Sequence, residues 1–418
     1  MLNKIQAAIN HKLTLVSAPA GFGKTTLLSE WIRNNQPPIP AAWLSLEEAD
    51  NNPHRLWEYF IAALRKLQPD IRGIALDPLQ VVQSMPVEYI LTRLANDLAC
   101  IKQDSFLILD DYHFIHSEPV HSGINFLLEH LPPRLHLVIA TRADPPLPIA
   151  RFRGKGTILE IGADDLRFNL EEAFSLLKEL KAPTLSTENV KALNDKAEGW
   201  VVGLKMAMLS MRGEKDTLEF ISGFTGTQRY IMDYLIEEVL QRQSLEVRDF
   251  LLKTSVLERL NGPLCDAVTG RHDGQETLIN IEKDNLFLVP LDETREWYRY
   301  EHLFAELLQH RLETEFGPEM SNELHRLASG WHEDNGFWEK AIDYALAAQD
   351  WEKAINLFEY TYVNRGSSRF AGAYYQYNWL RQIPLEGTAR PPADLRYLRL
   401  GGYQLGPRQD RYRLTGQL

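Results

Sequence analysis

The stretch LTLVSAPAGFGKTTLLSEW, residues 13–31, decides how this chain is read. KLTLVSAP is a short β-branched and apolar run, the pattern of a buried strand. KTTLLSEWIRNN follows with helical spacing, Leu27, Leu28, Trp31 and Ile32 falling on one side. The glycines between them lie in a strand–loop–helix turn, the context that a phosphate-binding loop requires. Gly21 and Gly23 let the backbone bend so that its N–H groups face a phosphate, and the helix N-terminus adds partial positive charge. Lys24 supplies a full charge to the β- and γ-phosphates, and Thr25 a hydroxyl to Mg2+. Ala18 stands where the usual pattern has its first glycine. That position needs a small residue rather than a glycine as long as its φ is negative.

Working outward, DSFLILDDYHFI carries four apolar residues, Phe106 to Leu109, and then Asp110 and Asp111. A carboxylate at the C-terminal end of a buried strand holds Mg2+ or its water shell, and Asp110 is the candidate. Asp111 is placed to orient an attacking water. The alternative is an Asp pair that caps the next turn. RLHLVIATRADPPLP is a third strand, ending at Thr141 and Arg142. In a parallel sheet that end faces the ligand crevice, so Arg142 is either a sensor of the γ-phosphate or an ordinary surface ion pair. AAWLSLEEAD (41–50) is a further strand, and Asn52-Pro53 opens an amphipathic helix through Trp57, Phe60 and Leu64.

At 418 residues the chain exceeds one ordinary core. Its 44% hydrophobic and 24% charged content is that of a soluble globular protein. No apolar run approaches the ~18 residues of a membrane helix, and the start lacks the apolar core of a signal peptide. The two cysteines, Cys100 and Cys265, are far apart, which fits a reducing cytoplasm. A net charge of −12 argues against broad nucleic-acid binding. Residues 366–418 are the exception, with eight Arg, no Lys and three acids. This basic tail is either a nucleic-acid contact or a poorly ordered Gly- and Pro-rich stretch.

From about 165 strand signals fade. NLEEAFSLLKEL, TENVKALNDKAE and GWVVGLKMAMLSMR read as consecutive helices, with Gly199 and Gly203 allowing close packing of the last or a nucleotide contact. SLEVRDFLLKTSVL, GPLCDAVTG and GQETLINIEKDN are three more helices. LFLVPLDETREWYRYEHLF turns around Asp292 and Glu293 as a two-stranded wing does. This winged-helix pattern lacks a basic recognition helix, which favours an internal lid over a DNA reader. WEKAIDYAL at Trp338 and WEKAINLFE at Trp351, 13 residues apart, open an α-solenoid. The expected organisation is an α/β P-loop NTPase domain with a parallel sheet (1–164), an all-α domain (165–243), a winged-helix domain (244–316) and the start of TPR-like repeats with an irregular basic tail (317–418).

These residues together resemble the MalT-like branch of the STAND signal-transduction ATPases, found in LuxR-family bacterial transcription regulators. The resemblance is carried by LTLVSAPAGFGKTTLLSEW, LILDDYH, ATRADPPLPIARFR, EIGADDLRF, EGWVVGLKMA, FLLKTSVLERLNGPLCDAV, NLFLVPLD and WYRYEHLF, in order over roughly 13–366. That family also accepts Ala at the position of Ala18. The resemblance implies a cytoplasmic switch: ADP holds a closed form, an inducer at the helical repeats favours ATP and self-association, and slow hydrolysis resets the state. It assigns Ala20, Gly21, Phe22, Gly23, Lys24, Thr25 and Thr26 to the nucleotide, Thr25 and Asp110 to the metal, and Asp111 and Lys24 to hydrolysis. Arg142 would sense the phosphate, and His302 would touch the β-phosphate. The doublet usually His-His before LF is here Glu301-His302. The family's longer N-terminus, long solenoid and C-terminal helix-turn-helix have no counterpart here, so a truncated regulator is expected, with DNA binding only through a domain absent from this chain. A P-loop phosphotransferase and an inactive scaffold are the competing readings.

Overall fold

The computed structural model describes residues 2–34, 38–67, 87–99, 101–180, 185–211 and 217–365. Cys100 and the basic tail with its solenoid-like NWLRQIPLE lie outside these. Five strands, β1 (Leu13–Ser17), β2 (Ala41–Ser45), β3 (Ser105–Asp110), β4 (Leu135–Thr141) and β5 (Ile158–Ile161), form a sheet ordered β2-β3-β4-β1-β5. Every pairing is parallel. All residues of β3 and β4 are buried, as a sheet covered on both faces demands, and this is why their sequences are continuous apolar runs. β5 is a strand the sequence reading did not name. It has only four residues, at the edge beside β1, with burial at its two ends alone. The strand expected over 41–50 stops at Ser45, and a 3-10 turn, Glu48–Asn51, leads to the helix Pro53–Leu67.

That helix lays Leu56, Trp57, Phe60, Ile61, Ala63 and Leu64 into the core. A Cβ at Gly123 would sit 2.4 Å from the Trp57 ring, so the neighbouring helix Glu118–His130 approaches only because that residue has no side chain. The helix Lys24–Asn34 buries Leu28 and Trp31 and leaves Leu27 and Ile32 half-buried.

The chain divides into two compact units. One comprises Met1–Gln243, Ile279–Pro290 and Tyr300–Leu307 and holds the sheet. The other comprises Ser244–Leu278, Leu291–Arg299 and the residues from Leu308 onward. In the second, the helix Gly262–Thr269 starts from Asn261, whose side chain accepts from the Leu264 N–H at 2.8 Å, and stops at Gly270 with φ 74°. The expected wing is present as β6 (Leu288–Pro290) and β7 (Tyr298–Tyr300). Its turn is organised by Asp292, which accepts from the N–H groups of Glu296 and Trp297 at 3.0 and 2.8 Å. The helix His302–Phe316 comes next, and then Pro318–Asp334, Trp338–Ala347 and Trp351–Arg365. The turns after Pro318–Asp334 and Trp338–Ala347 take left-handed residues at Gly336 and Gln349.

Among the described residues no helix is long and apolar enough to cross a membrane.

Candidate nucleotide site

The sheet order places β4 between β1 and β3, so the ends of these three strands meet. The loop after β1 leaves at Ser17, opposite Thr141 of β4. Ala18 is fully buried, is not among the residues with positive φ, and donates its N–H to the Thr141 carbonyl at 3.3 Å. Nothing at that position requires a glycine. Gly21 and Gly23 do carry positive φ, 78° and 83°.

Among the described residues, none accepts a hydrogen bond from the backbone N–H groups of Gly21, Phe22, Gly23, Lys24 or Thr25. Two carbonyls of the loop are held from outside it. Trp200 Nε1 donates to the Ala20 carbonyl at 3.0 Å, and the Val202 N–H to that of Gly21 at 3.3 Å. A Cβ on Gly21 would lie 2.8 Å from both Trp200 Nε1 and a Val202 methyl, so this segment grips the loop from outside. The Phe22 ring is buried against Phe287 at 6.1 Å, with the Arg167 guanidinium 5.6 Å over it. Phe22 therefore offers the crevice its backbone and not its ring.

Lys24 is 8% exposed, and its Nζ donates to the carbonyls of Ala18 and Pro19 at 2.6 and 2.9 Å. Burial, helped by the nearby Arg142 charge, lowers its pKa to about 8. Asp110 is 2% exposed. Burial and the neighbouring Asp111 push its pKa up, while a hydrogen bond from the Thr25 hydroxyl acts the other way. Thr25 and Thr26 are exposed. Asp111 adopts φ 57° and ψ 38°, left-handed for a non-glycine residue, and its N–H donates to Asp110 Oδ1 at 3.0 Å. The hydroxyl and the two carboxylates gathered at one strand end suit a divalent cation that also binds phosphate.

Arg142 enters this group with a partner of its own. Its Nη1 lies 2.9 Å from Glu238 Oε2, an atom that Arg242 also approaches at 2.9 Å. Its charge is nonetheless felt at Lys24 and His113. His302 is the first residue of the helix His302–Phe316 and is 67% exposed, with Nδ1 2.5 Å from Glu198 Oε1. The adjacent Glu301 is buried and pairs with Arg167 at 2.5 Å. Lys24, Thr25, Asp110, Asp111 and Arg142 thus form one electrostatic group, while His302 is held by Glu198.

Gly199 and Gly203 are packing glycines: a Cβ on the first would meet the Phe168 backbone at 2.8 Å, and on the second the Trp200 ring at 2.5 Å. Sequence reasoning overlooked Trp200, Glu238 and His113. The first and last stand inside EGWVVGLKMA and LILDDYH, motifs already singled out. Glu238 gave no local signal.

A parallel α/β sheet, a glycine loop between β1 and a helix, and an acidic pair closing β3 together define a P-loop NTPase fold. Comparison with known proteins shows what the chain is similar to. Residues 236–320 match the MalT winged helix domain. The chain is 34% identical over 352 residues to the HTH-type transcriptional regulator MalT of Klebsiella pneumoniae subsp. pneumoniae, covering 84% of this chain and 39% of that protein. To MalT of Serratia proteamaculans it is 34% identical over 357 residues, covering 84% and 38%. The chain is thus similar to the MalT regulators over 84% of its length, and it spans about two fifths of the length of those relatives. A STAND ATPase with a tetratricopeptide-repeat sensor from Pyrococcus horikoshii is 18% identical, covering 92% of this chain and 53% of that one, with a TM-score of 0.37, too low to carry an argument.

Proposed function

We propose that this chain is the nucleotide-operated switch module of a MalT-like transcriptional regulator. The observation that carries the reading is the loop Gly21–Thr25, whose N–H groups have no acceptor among the described residues and which contains the buried Lys24. A polyphosphate supplies the missing acceptors and the missing countercharge together. Ala20 to Thr26 cradle the phosphates of ATP or ADP, and Lys24 turns from the Ala18 and Pro19 carbonyls toward the β- and γ-phosphates. Thr25 and Asp110 hold Mg2+, which neutralises charge on the phosphate oxygens when bound. Asp111 orients the attacking water, and Arg142 exchanges Glu238 for the γ-phosphate. His302 reports on the β-phosphate if it leaves Glu198.

In this reading ADP holds a closed form, ATP favours opening and self-association, and slow hydrolysis resets the switch. The four-part organisation, at 1–164, 165–243, 244–316 and 317 onward, gives nucleotide, helical, winged and repeat segments. An inducer, a small molecule or a protein, acts through the repeats. The test is to purify the chain, denature it and identify any released nucleotide by chromatography, with Lys24→Ala alongside. ADP released from the wild type and not from the variant supports the switch. An empty protein that neither ATP nor ADP stabilises thermally overturns it, because ligand at ~100 times Kd should add ~2.7 kcal/mol.

A further inference from the structure

We propose that a groove among the repeat helices binds a small organic cation with a flat guanidinium head. The groove is lined from the helices Pro318–Asp334, Trp338–Ala347 and Trp351–Arg365 and the turn between the last two, all within the second compact unit. Its lining shares no residue with the nucleotide loop. Its volume is about 460 Å3, within the range of roughly 300–1,000 Å3 that clefts for small molecules occupy.

Trp338 and Tyr360 supply the aromatic part of the lining. Their ring centroids are 4.8 Å apart at an angle of 40°, so each ring supports the other. Trp338 also packs against the core of Ala341, Ile342 and Leu357. Tyr360 is 52% exposed. A phenol ring backed by a core-anchored indole and left half in water is a rigid aromatic surface that the packing of the repeat does not cover. A guanidinium stacks flat on such a surface through both its charge and its plane.

The charged part of the lining is three carboxylates, Glu333, Asp350 and Glu352, against one ammonium, Lys353. Lys353 Nζ lies 3.2 Å from Glu333 Oε2, so that pair is balanced within itself. Asp350 accepts the Lys353 N–H at 3.1 Å and caps the last helix, and Glu352 stands in its first turn. Among the described residues neither Asp350 nor Glu352 has a cation at ion-pair distance. A helix start favours acids by itself. It does not account for a half-exposed aromatic ring in the same groove. Carboxylates that accept N–H groups in pairs, next to a plane to stack on, are what a guanidinium requires. An anion is repelled here, and a neutral ligand leaves two carboxylates without countercharge.

The experiment titrates the whole chain with butylguanidinium and with butylurea, its uncharged counterpart of the same shape, by calorimetry. The guanidinium should bind about tenfold more tightly than the urea, and added salt should weaken it. Glu352→Gln and Tyr360→Leu change exposed side chains and should leave the melting temperature unchanged. Each should weaken butylguanidinium about threefold, and the two together about tenfold. No saturable binding of butylguanidinium overturns the proposal. So does equal affinity for the two compounds, or wild-type affinity in the double variant, which would put the cation elsewhere. The comparison of the two compounds is made on the wild type, so it decides the matter even where a variant melts early. None of these outcomes touches the nucleotide reading.

Discussion

Lys24 and Ile342 are both buried, at 8% and 2% exposure, in surroundings of opposite kinds. Ile342 sits among Ala341, Ala345, Leu346, Ala354 and Leu357, in helices whose polar groups are satisfied locally: Ser329 donates to the Ala341 carbonyl at 2.8 Å and His332 bonds within its own helix. Around Lys24 lie a second cation, two carboxylates, one of them on a left-handed aspartate, and a histidine with no hydrogen-bond partner among the described residues. The core of the repeat helices is built for stability. The strand ends of the sheet hold unpaired donors and repelling charges that a ligand would resolve. Local instability of this kind marks where binding energy can be used.

The sharpest way to break this contrast is Lys24→Met. Removing a charge-assisted contact to two phosphates should weaken ATP binding by ~100-fold or more, read by calorimetric titration. The same variant should melt higher without nucleotide. The folded pKa of Lys24 lies below its unfolded value of 10.5, so the unfolded chain binds the proton more tightly. Folding at neutral pH therefore carries a penalty of about 3 kcal/mol, which fades only as pH rises from ~8 toward 10.5. A variant that loses both affinity and stability would mean the lysine is structural.

Ile342→Ala should do the reverse. It should cost roughly 2–5 kcal/mol of stability in denaturant unfolding and leave nucleotide affinity unchanged.

A smaller effect concerns acid. His113, with a folded pKa of about 3 against 6.5 unfolded, binds protons more weakly when folded. It therefore contributes stability that is present above pH 6.5 and lost as pH falls toward 3, by up to ~1.4 kcal/mol per pH unit. The difference between wild type and His113→Gln across that window measures it, and parallel profiles would remove His113 from the account.

The smallest expected change is at Glu238. Glu238→Gln frees Arg142, so ATP should bind roughly three- to tenfold more tightly while ADP affinity holds, a gain of about 1 kcal/mol. Equal gains for both nucleotides would argue that Arg142 does not sense the third phosphate.

The residues around these positions show how much a linear reading can see. The loop, the helix after it, the apolar strands with their terminal acids, and the wing all depend on spacing within a dozen residues, and they were legible from it. The ordered motifs gave the resemblance to the MalT regulators. Ala18 was readable as a permitted departure because its requirement, a small residue, is local. β5 escaped because an edge strand of four residues carries too short a pattern to distinguish it from a loop. Glu238 escaped because its meaning comes from Arg142, 96 residues earlier in the chain. The same holds for Trp200, 180 residues from the carbonyl it grips, and for Glu198 under His302, 104 residues on. For His113 the sequence supplied only a histidine beside two aspartates. Burial of its ring without a partner is a property of packing, which only the tertiary structure decides. Periodicity and turn chemistry are short-range and were written in the chain, whereas the partners that set charge, strain and polarity at the strand ends are brought together by the sheet crossovers.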